Sequence, residues 1–508
     1  KPSKFNLCKV FNVMVDSNFH NFIFCTFITN CNNATGTIFF GMSNSTKAIF
    51  YNNAISQVYA ETLCSFFMHF TFVHIYHFPW SMGLSAPQKI LGQGIVGYVY
   101  QVGDSDLRHK FVIFVLYSIR KVGILRWFSK LGFAVSFGLL LILDTHANLG
   151  IIKAEYINGA WRTLKIFGFQ FHVFEVVKVA MIMYLSWAIH AYRSDLREGP
   201  KSKHFKLANR LAKNPNLEFL AKPFWKKVMY IYLPILSITG MVMYGSNSSA
   251  LIIGGVMLAT LAVGGLEMKE VWLGIACMVA VVGMAFGIYK MSDGKVLQRF
   301  ETLESRLTMD TDPRQLLDPK LIQDKVAFQE KLDKIRQPNA AMIAVAEGGI
   351  LGKGPGGSTQ KYILPVVFGD YMFSFLLEEY GLWGGIIIIL LYVSLLARGS
   401  WIARLCDSDF AKTAVGGLTL LITAQAFLHM YINVGLGPLT GQTLPLVSHG
   451  NSSFLAFCVA FGVILSISRM ANNKIREEEA AAEPIYKKDD IQSSLDVIEQ
   501  IENDEFDF

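Results

Sequence analysis

Asp370 is the residue in this sequence that is best placed to carry out a reaction. It is a lone carboxylate directly ahead of a long apolar run, in the segment Gly369-Asp-Tyr371. Aspartate is favoured as a helix N-cap, so a purely structural role is one interpretation. The other interpretation is a general base at the membrane surface that takes a proton from a substrate hydroxyl.

Two segments rich in glycine and proline flank Asp370, at 347–361 and 438–453. The first holds Lys353 and Lys361, whose ammonium groups are available for phosphate. Glycines let backbone N–H groups approach an anionic or sugar ligand closely. The residues expected to shape these segments are Gly352, Gly354, Gly357, Pro365, Gly441, Pro445 and Gly450.

Glu175 and Lys178 are three residues apart near the outer end of a predicted span, so they share one helical face. A mutually neutralising pair is the simpler interpretation. However, a charge at the centre of a membrane helix costs roughly 2.5–3.5 kcal/mol on insertion scales, so such residues usually face a functional cavity. We therefore expect this pair to line a cavity. Of Glu378 and Glu379, two turns beyond Asp370, one is expected to face inward and hold a neighbour.

Composition indicates an integral membrane protein. Of the 508 residues, 52% are hydrophobic and 17% are charged, whereas soluble proteins are about one quarter charged. Several apolar stretches approach the roughly 20 residues that a helix needs to cross a bilayer. The fold class is therefore all-α, a polytopic membrane helical bundle of about ten transmembrane helices. The readable spans are 129–145, 172–191, 228–245, 249–266, 271–289, 371–397, 413–434 and 452–470.

Basic residues predict the orientation of these spans. The loop 192–227 carries ten Lys and Arg against three acidic residues. Other basic clusters precede the first span, separate the sixth from the seventh, and follow the last. If the spans alternate, all four clusters lie on one side, which is the cytoplasmic side. The segments around Asp370 and Glu175 then face outward, and the net charge of +7 requires no nucleic-acid partner.

Three regions are predicted along the chain. The first, 1–124, gives no clean apolar span, and two crossings there would place the N-terminus inside. The second, 125–470, forms the membrane core with a large extracytoplasmic loop at 290–370, within which 313–336 has the pattern of an amphipathic helix. The third, 471–508, is polar and is expected to be a disordered cytoplasmic tail.

No metal or dinucleotide site is predicted. The seven cysteines are scattered without a C-x-x-C pair, and His69, His74 and His77 lack further ligands at defined spacing. The glycines 352, 354 and 357 satisfy the spacing of a dinucleotide fingerprint. That fingerprint requires a preceding strand and a βαβ unit, and here Pro355 and membrane spans surround it.

Taken in order, these motifs resemble the SEDS family of bacterial cell-wall polymerases, the group that contains FtsW and RodA. The resemblance covers roughly 125–470, and the sequence that begins at Thr440, Thr-Gly-Gln-Thr-Leu-Pro, is closer to FtsW than to RodA. One departure is Gly245-Ser-Asn-Ser-Ser249, which removes a carboxylate that the family usually carries there. The matching segments are Asn158-Gly-Ala-Trp-Arg162, Glu175-Val-Val-Lys178, Gly348 to Ser358, Glu378-Glu-Tyr-Gly381 and Pro438-x-x-Gly441-x-Thr-Leu-Pro445-x-x-Ser448-x-Gly450-x-Ser452-Ser453.

The resemblance implies a glycosyltransferase that polymerises lipid II into glycan strands on the outer face of the cytoplasmic membrane during cell division. Asp370 would deprotonate the 4-hydroxyl of the acceptor sugar, with release of undecaprenyl pyrophosphate from the donor. A divalent cation, Mg²⁺ or Mn²⁺, on the pyrophosphate is compatible with this chemistry, and no other cofactor is implied. The residues expected to bind substrate are Arg162, Glu175, Lys178, Lys353, Lys361, Glu379, Ser448, Ser452 and Ser453.

The implied partners are a class B penicillin-binding protein transpeptidase and other divisome membrane proteins, at the division septum. Two other functions stay open. Broken segments and intramembrane charges also mark transport sites, so the chain could be a lipid II flippase, although no inverted repeat is visible. It could also be a non-catalytic scaffold that recruits division proteins through 192–227 and the acidic tail.

Overall fold

The computed structural model describes residues 111–482, except for 149, 151, 158–159, 168, 200–203, 293–323, 363–368, 439 and 449–450. These residues belong to one unit of the chain, Ala60–Phe508. In this described part, residues 111–117 are helical and ten α-helices follow. They are α1 (Val122–Asp144), α2 (Val173–Glu198), α3 (Lys206–Leu211), α4 (Pro223–Gly245), α5 (Asn247–Val263), α6 (Met268–Met291), α7 (Lys325–Gly348), α8 (Met372–Leu405), α9 (Asp409–Asn433) and α10 (Asn451–Ala482).

The helical membrane bundle is confirmed. Each of the eight readable spans coincides with one helix, namely α1, α2, α4, α5, α6, α8, α9 or α10. Among the described residues, seven helices are long and apolar enough to cross a membrane, and α5 is a shorter apolar helix. The two further crossings predicted in the N-terminal region fall mostly on residues 1–110, outside the described part.

A small antiparallel sheet joins α1 to α2, and the all-α prediction did not include it. Its strands are β1 (Ile152–Ile157), β2 (Ala160–Ile166) and β3 (Phe169–His172), hydrogen-bonded in that order. Leu164 on the middle strand is fully buried, so the sheet packs its apolar face on the bundle. The alternating apolar and polar residues of 152–166 are typical of a half-buried strand.

Two helix boundaries differ from the sequence prediction. Helix α7 begins at Lys325, where the Asp324 side chain accepts from two backbone N–H groups, and it continues to Gly348; the earlier part of the predicted amphipathic helix, 313–323, lies outside the described residues. Helix α10 extends to Ala482, which corrects the predicted start of the disordered tail at 471. Charged residues continue the helix past the membrane because they have high helix propensity.

The interior of the bundle is formed mainly by α2 and α9. Their apolar stretches are 78% and 67% buried, whereas those of α1 and α6 are each 22% buried. Helix α9 packs against α2, α5, α8 and α10. Polar side chains on α2 and α9 are therefore enclosed by protein, and both helices contact the second glycine-rich segment through Gln442.

Candidate functional site

The backbone around Asp370 is held from two directions. Asp370 lies ahead of the N-terminus of α8, just before the N-cap residue Tyr371. The Ser448 hydroxyl donates to the Gly369 carbonyl at 2.8 Å, and the Asn433 side-chain amide donates to the Asp370 carbonyl at 3.1 Å. The second glycine-rich segment and α9 thus fix the two peptide groups that flank the Asp370 side chain.

The first turn of α8 is capped by side chains of α9. The Phe373 N–H donates to His429 Nε2 at 3.4 Å, and the Ser374 N–H donates to Asn433 Oδ1 at 3.1 Å. His429 Nδ1 lies 2.8 Å from the Gln442 carbonyl. Because a carbonyl can only accept, we assign the ring proton to Nδ1 and the lone pair to Nε2.

Sequence reasoning missed His429 and Asn433. The signal that could have found them is their spacing: Gln425, His429 and Asn433 recur every four residues in the second half of α9, which puts them on one face. All three are at least 99% buried. Polar residues at this depth in a membrane helix are a default indication of a functional or positioning role.

The Asp370 carboxylate points toward the second glycine-rich segment. A Cβ atom built on Gly441 would stand 3.5 Å from Asp370 Oδ2. Gly441 has a φ of +64°, a conformation that side-chain-bearing residues rarely adopt. The predicted structural role of Gly441 is thus to bring its segment against the carboxylate.

Lys178 is at the centre of a buried polar network below this carboxylate. Its ammonium donates to Glu175 Oε1 at 2.8 Å, Gln425 Oε1 at 2.7 Å and Gln442 Oε1 at 3.2 Å. These partners use all three donors of the ammonium group, and Lys178 is 2% exposed. A substrate phosphate that contacted Lys178 would therefore have to displace one of these acceptors.

The network extends to the serines of the second segment. Ser453 donates to Glu175 Oε2 at 3.4 Å and lies 2.6 Å from the Thr443 hydroxyl. The Ser452 hydroxyl accepts from the His172 N–H at 3.2 Å. Ser448, Ser452 and Ser453, all predicted to bind substrate, are at least 93% buried. They join the segment to Gly369 ahead of α8, to β3 and to α2.

The serine-rich segment Gly245-Ser-Asn-Ser-Ser249, which lacks the carboxylate usual in the family, caps a helix in the structure. Ser246 is the N-cap of α5, and its hydroxyl accepts from the Ser249 N–H at 3.3 Å. Ser249 in turn accepts from the Gln442 side-chain amide at 3.2 Å. Serine caps a helix about as well as aspartate. Helix α5 is therefore capped and connected to the network by serines, without the carboxylate that the family usually carries there.

Glu378 fastens the first glycine-rich segment to α8. Its carboxylate, fully buried, accepts from the Thr359 N–H at 2.8 Å, from Lys353 Nζ at 2.7 Å and from the Ser358 hydroxyl. Glu379, also buried, accepts from the Gly356 N–H at 2.9 Å. Both glutamates therefore face inward, whereas only one of them was expected to. Glu379 binds the glycine-rich segment through the Gly356 N–H.

The two lysines of this segment are engaged with the segment itself. Lys353 donates to Glu347 and Thr359 as well as to Glu378, and Lys361 donates to the Gly356 carbonyl at 2.8 Å. Desolvation acts to lower the pKa of Lys353, but the hydrogen bonds to Glu347 and Glu378 outweigh it and raise the pKa. The three acceptors of Lys353 match the three donors of its ammonium group, so it would have to leave one of them to contact a phosphate, whereas the Gly356 carbonyl uses one donor of Lys361.

Two glycines allow the segment to dock on a break in α8. Gly381 interrupts the helix with a φ of +64°. Gly352 has a φ of +77°, and a Cβ atom there would lie 2.2 Å from the Glu379 carbonyl oxygen. The Lys353 and Gly354 N–H groups donate to the Glu378 and Glu379 carbonyls, each at 2.9 Å. Gly357 is likewise too crowded for a side chain, with the Lys353 carbonyl oxygen 2.5 Å from a built Cβ atom.

Other predicted residues have simpler outcomes. The fingerprint glycines lie between α7 and α8 rather than after a strand, as expected for a loop without a dinucleotide. Arg162 is on β2, close enough to act electrostatically on His172 together with Glu175 and Lys178. The Pro445 carbonyl accepts from the Tyr392 hydroxyl. Pro365, Gly450 and the three N-terminal histidines lie outside the described residues.

Comparison with known proteins identifies the group to which this architecture is similar. The family model described as cell cycle protein, for FtsW, RodA and SpoVE, matches residues 107–473. The probable peptidoglycan glycosyltransferase FtsW of Hahella chejuensis is 33% identical over 229 residues, which cover 41% of this chain and 53% of that protein. The peptidoglycan glycosyltransferase MrdB of Escherichia coli K12 is 38% identical over 127 residues, 25% of this chain and 34% of MrdB. The chain thus matches about half of one relative and a third of the other.

A solved structure has the same fold. It comes from work on the structural coordination of polymerization and crosslinking by a peptidoglycan synthase complex. The match has a TM-score of 0.52 and 19% sequence identity, and it covers 81% of this chain and 97% of the other. At this level of identity the match establishes the arrangement of helices.

Proposed function

The chain belongs to the FtsW, RodA and SpoVE family of cell cycle proteins, and we propose that it is a peptidoglycan glycosyltransferase that polymerises lipid II at the outer face of the cytoplasmic membrane. The observation that carries the proposal is the position of Asp370. Its carboxylate faces Gly441, while Ser448 and Asn433 hold the carbonyls on either side of it. A general base requires this kind of fixed carboxylate within reach of a substrate hydroxyl.

In the proposed reaction the Asp370 carboxylate takes the proton of the acceptor sugar's 4-hydroxyl. The oxygen then forms a bond to the anomeric carbon of the donor while the bond to the pyrophosphate oxygen breaks. Undecaprenyl pyrophosphate leaves, and inversion at the anomeric carbon follows from this single displacement. A general base contributes roughly 10²–10⁴-fold, equivalent to about 3–5 kcal/mol at the barrier.

A divalent cation on the pyrophosphate is part of the proposal. Among the described residues no group of three or more His, Cys, Asp and Glu side chains could hold a metal by itself. A cation that arrives with the diphosphate would need no such group, because Mg²⁺ is commonly bound largely through substrate phosphates and water. The oxygens of the diphosphate would hold the cation, which leaves Asp370 free to act as the base. Chelation by EDTA should then lower activity without changing the folded protein.

The decisive experiment is a lipid II polymerisation assay with the purified chain, alone and with a class B penicillin-binding protein. We expect glycan strands from the wild type and none from Asp370→Asn. The control variant is Asp407→Asn, which removes a carboxylate paired with Lys474 beyond the cytoplasmic end of α8 and should retain activity. Full polymerisation by folded Asp370→Asn would exclude the general-base role.

A lipid II flippase is the second candidate, and the buried network around Lys178 is the observation that favours it. Polar groups enclosed in a membrane bundle also occur along transport pathways. Flipping predicts movement of lipid II across sealed vesicles that persists in Asp370→Asn. A third candidate, the non-catalytic scaffold, predicts normal division of cells whose only copy carries Asp370→Ala.

We further propose that the chain works with a class B penicillin-binding protein and other divisome membrane proteins at the septum. The support is that the solved structure with the same fold comes from a peptidoglycan synthase complex. Relatives include proteins named FtsW and MrdB, so the cellular site requires its own test. A fluorescent fusion should concentrate at the septum, and co-purification should recover the transpeptidase.

A further inference from the structure

The N-terminus of α8 needs hydrogen-bond acceptors, and Asp370 is the residue that would ordinarily supply one. The first N–H groups of any helix have no acceptor within the helix. The N-cap residue Tyr371 makes no side-chain cap hydrogen bond. An aspartate just ahead of a helix readily accepts from N–H groups two or three residues further on. In that conformation the Asp370 carboxylate would accept hydrogen bonds from the helix and could not face a substrate hydroxyl.

Helix α9 supplies these acceptors instead. The Phe373 and Ser374 N–H groups donate to His429 Nε2 and Asn433 Oδ1. The Ser374 hydroxyl also donates to Asn433, at 2.9 Å from Oδ1. His429 and Asn433 are one helical turn apart on the same face of α9. Two successive N–H groups of α8 therefore each find an acceptor on that face.

We propose that His429 and Asn433 are positioning residues: His429 caps the Phe373 N–H in place of Asp370, Asn433 caps the Ser374 N–H, and together they keep the Asp370 carboxylate turned toward Gly441. This inference rests on the general-base role proposed above. Asn433 has a second part in it, because its amide also donates to the Asp370 carbonyl and fixes the peptide from which the side chain projects. His429 is held for this task by Gln442, whose carbonyl accepts from Nδ1 and whose side chain accepts from Lys178.

The first test is kinetic and uses the full chain with its transpeptidase partner. His429→Leu removes the acceptor, and we expect kcat for lipid II polymerisation to fall about 10²-fold, as for other losses of positioning, with KM nearly unchanged. His429→Gln keeps one acceptor and one donor and should recover most of the activity. Thr423→Val is the matched control, because Thr423 is equally buried on α9 and bonds only within its own helix.

The second test measures stability and needs no activity. In His429→Leu the Asp370 side chain is expected to take over the cap. Asp370→Ala should then lower the melting temperature more in the His429→Leu background than in the wild type. If His429→Leu does not fold, Asn433→Asp serves instead, because it keeps the acceptor for Ser374 and removes the donor to Asp370; its kcat should fall.

The outcomes separate the two proposals. A wild type that forms no glycan with any partner overturns the proposed function, while the stability cycle still reports on capping. An active wild type, an inactive Asp370→Asn and a fully active His429→Leu or Asn433→Asp would overturn the positioning role alone. Additive melting shifts in the cycle would also contradict it, since Asp370 would not have replaced the lost cap.

Discussion

The Oδ2 atom of Asp370 lies 3.5 Å from the position that a Cβ atom would occupy on Gly441. These residues belong to different breaks in the helical pattern, one ahead of α8 and one between α9 and α10. The backbone at Gly441 has a φ of +64°, a conformation that side-chain-bearing residues rarely adopt. The space over the carboxylate is therefore shaped by a backbone that a larger residue would change.

Gly441→Val is predicted to lower polymerase activity by about 10²-fold, the effect of misplacing reacting groups by roughly 1 Å, because branched side-chain carbons would crowd Asp370. The measurement is kcat with lipid II. Gly354→Val is the matched control, since Gly354 also has a positive φ, +88°, but a Cβ atom there meets nothing within 4 Å. Equal losses in both variants would attribute the effect to backbone strain.

Gly352→Ala is predicted to undock the first glycine-rich segment from α8. The added Cβ atom would lie 2.2 Å from the Glu379 carbonyl oxygen, and rigid backbone cannot yield as a flexible side chain can. Overpacking of this kind costs about 1–3 kcal/mol, beyond the strain of a positive φ. Hydrogen exchange of residues 349–362 should accelerate. In Gly349→Ala, with a φ of +54° and open space, the increase should be smaller; equal increases would refute the steric argument.

Lys178→Met is predicted to destabilise the protein strongly, by about 3–5 kcal/mol, as when one partner of a buried ion pair is removed. The Glu175 carboxylate, 13% exposed, would lose its cation, and two glutamine oxygens would lose a donor. Adding Glu175→Gln should restore part of the stability, because the unpaired charge disappears. Thermal unfolding of both single variants and the double variant measures this coupling, and strict additivity would argue against a shared network.

The contact between Glu347 and Lys353 is predicted to weaken in acid and to withstand alkali. The hydrogen bond from Lys353 lowers the pKa of Glu347. The stabilising effect of the ionised Glu347 is therefore fully present above the ordinary glutamate pKa of about 4.3, and it is lost as pH falls through the lowered pKa. The pKa of Lys353 is raised. The stabilising effect of the charged Lys353 is therefore fully present below the ordinary lysine pKa of about 10.4, and it is lost as pH rises through the raised pKa.

Hydrogen exchange of residues 349–362, corrected for intrinsic rates, should therefore be constant from about pH 6 to 9 and accelerate near pH 4. Glu347→Gln should remove the part of this acid response that belongs to the contact. An unchanged acid response in Glu347→Gln would assign it to another carboxylate.

The charged residues show where sequence reasoning reached its limit. The type and spacing of Glu175 and Lys178 predicted a shared helical face, and the structure pairs them at 2.8 Å. Lys353 and Lys361 were expected to bind phosphate because they stand in a glycine-rich loop. Their acceptors, Glu378 and the Gly356 carbonyl, are assigned by the folding of that loop, which no local pattern encodes.

The sequence by itself determined the membrane bundle and its eight readable spans, and it predicts the orientation of the loops and the carboxylate most suited to act as a base. Those features follow from hydrophobic length, charge distribution and residue type, which are local properties of the chain. Only the tertiary structure decided that α9 caps α8 through His429 and Asn433, that Gly441 faces Asp370, and that three strands cover the outer end of α1 and α2. Hydrogen bonds between residues distant in sequence depend on how helices pack, and packing is a property of the whole fold.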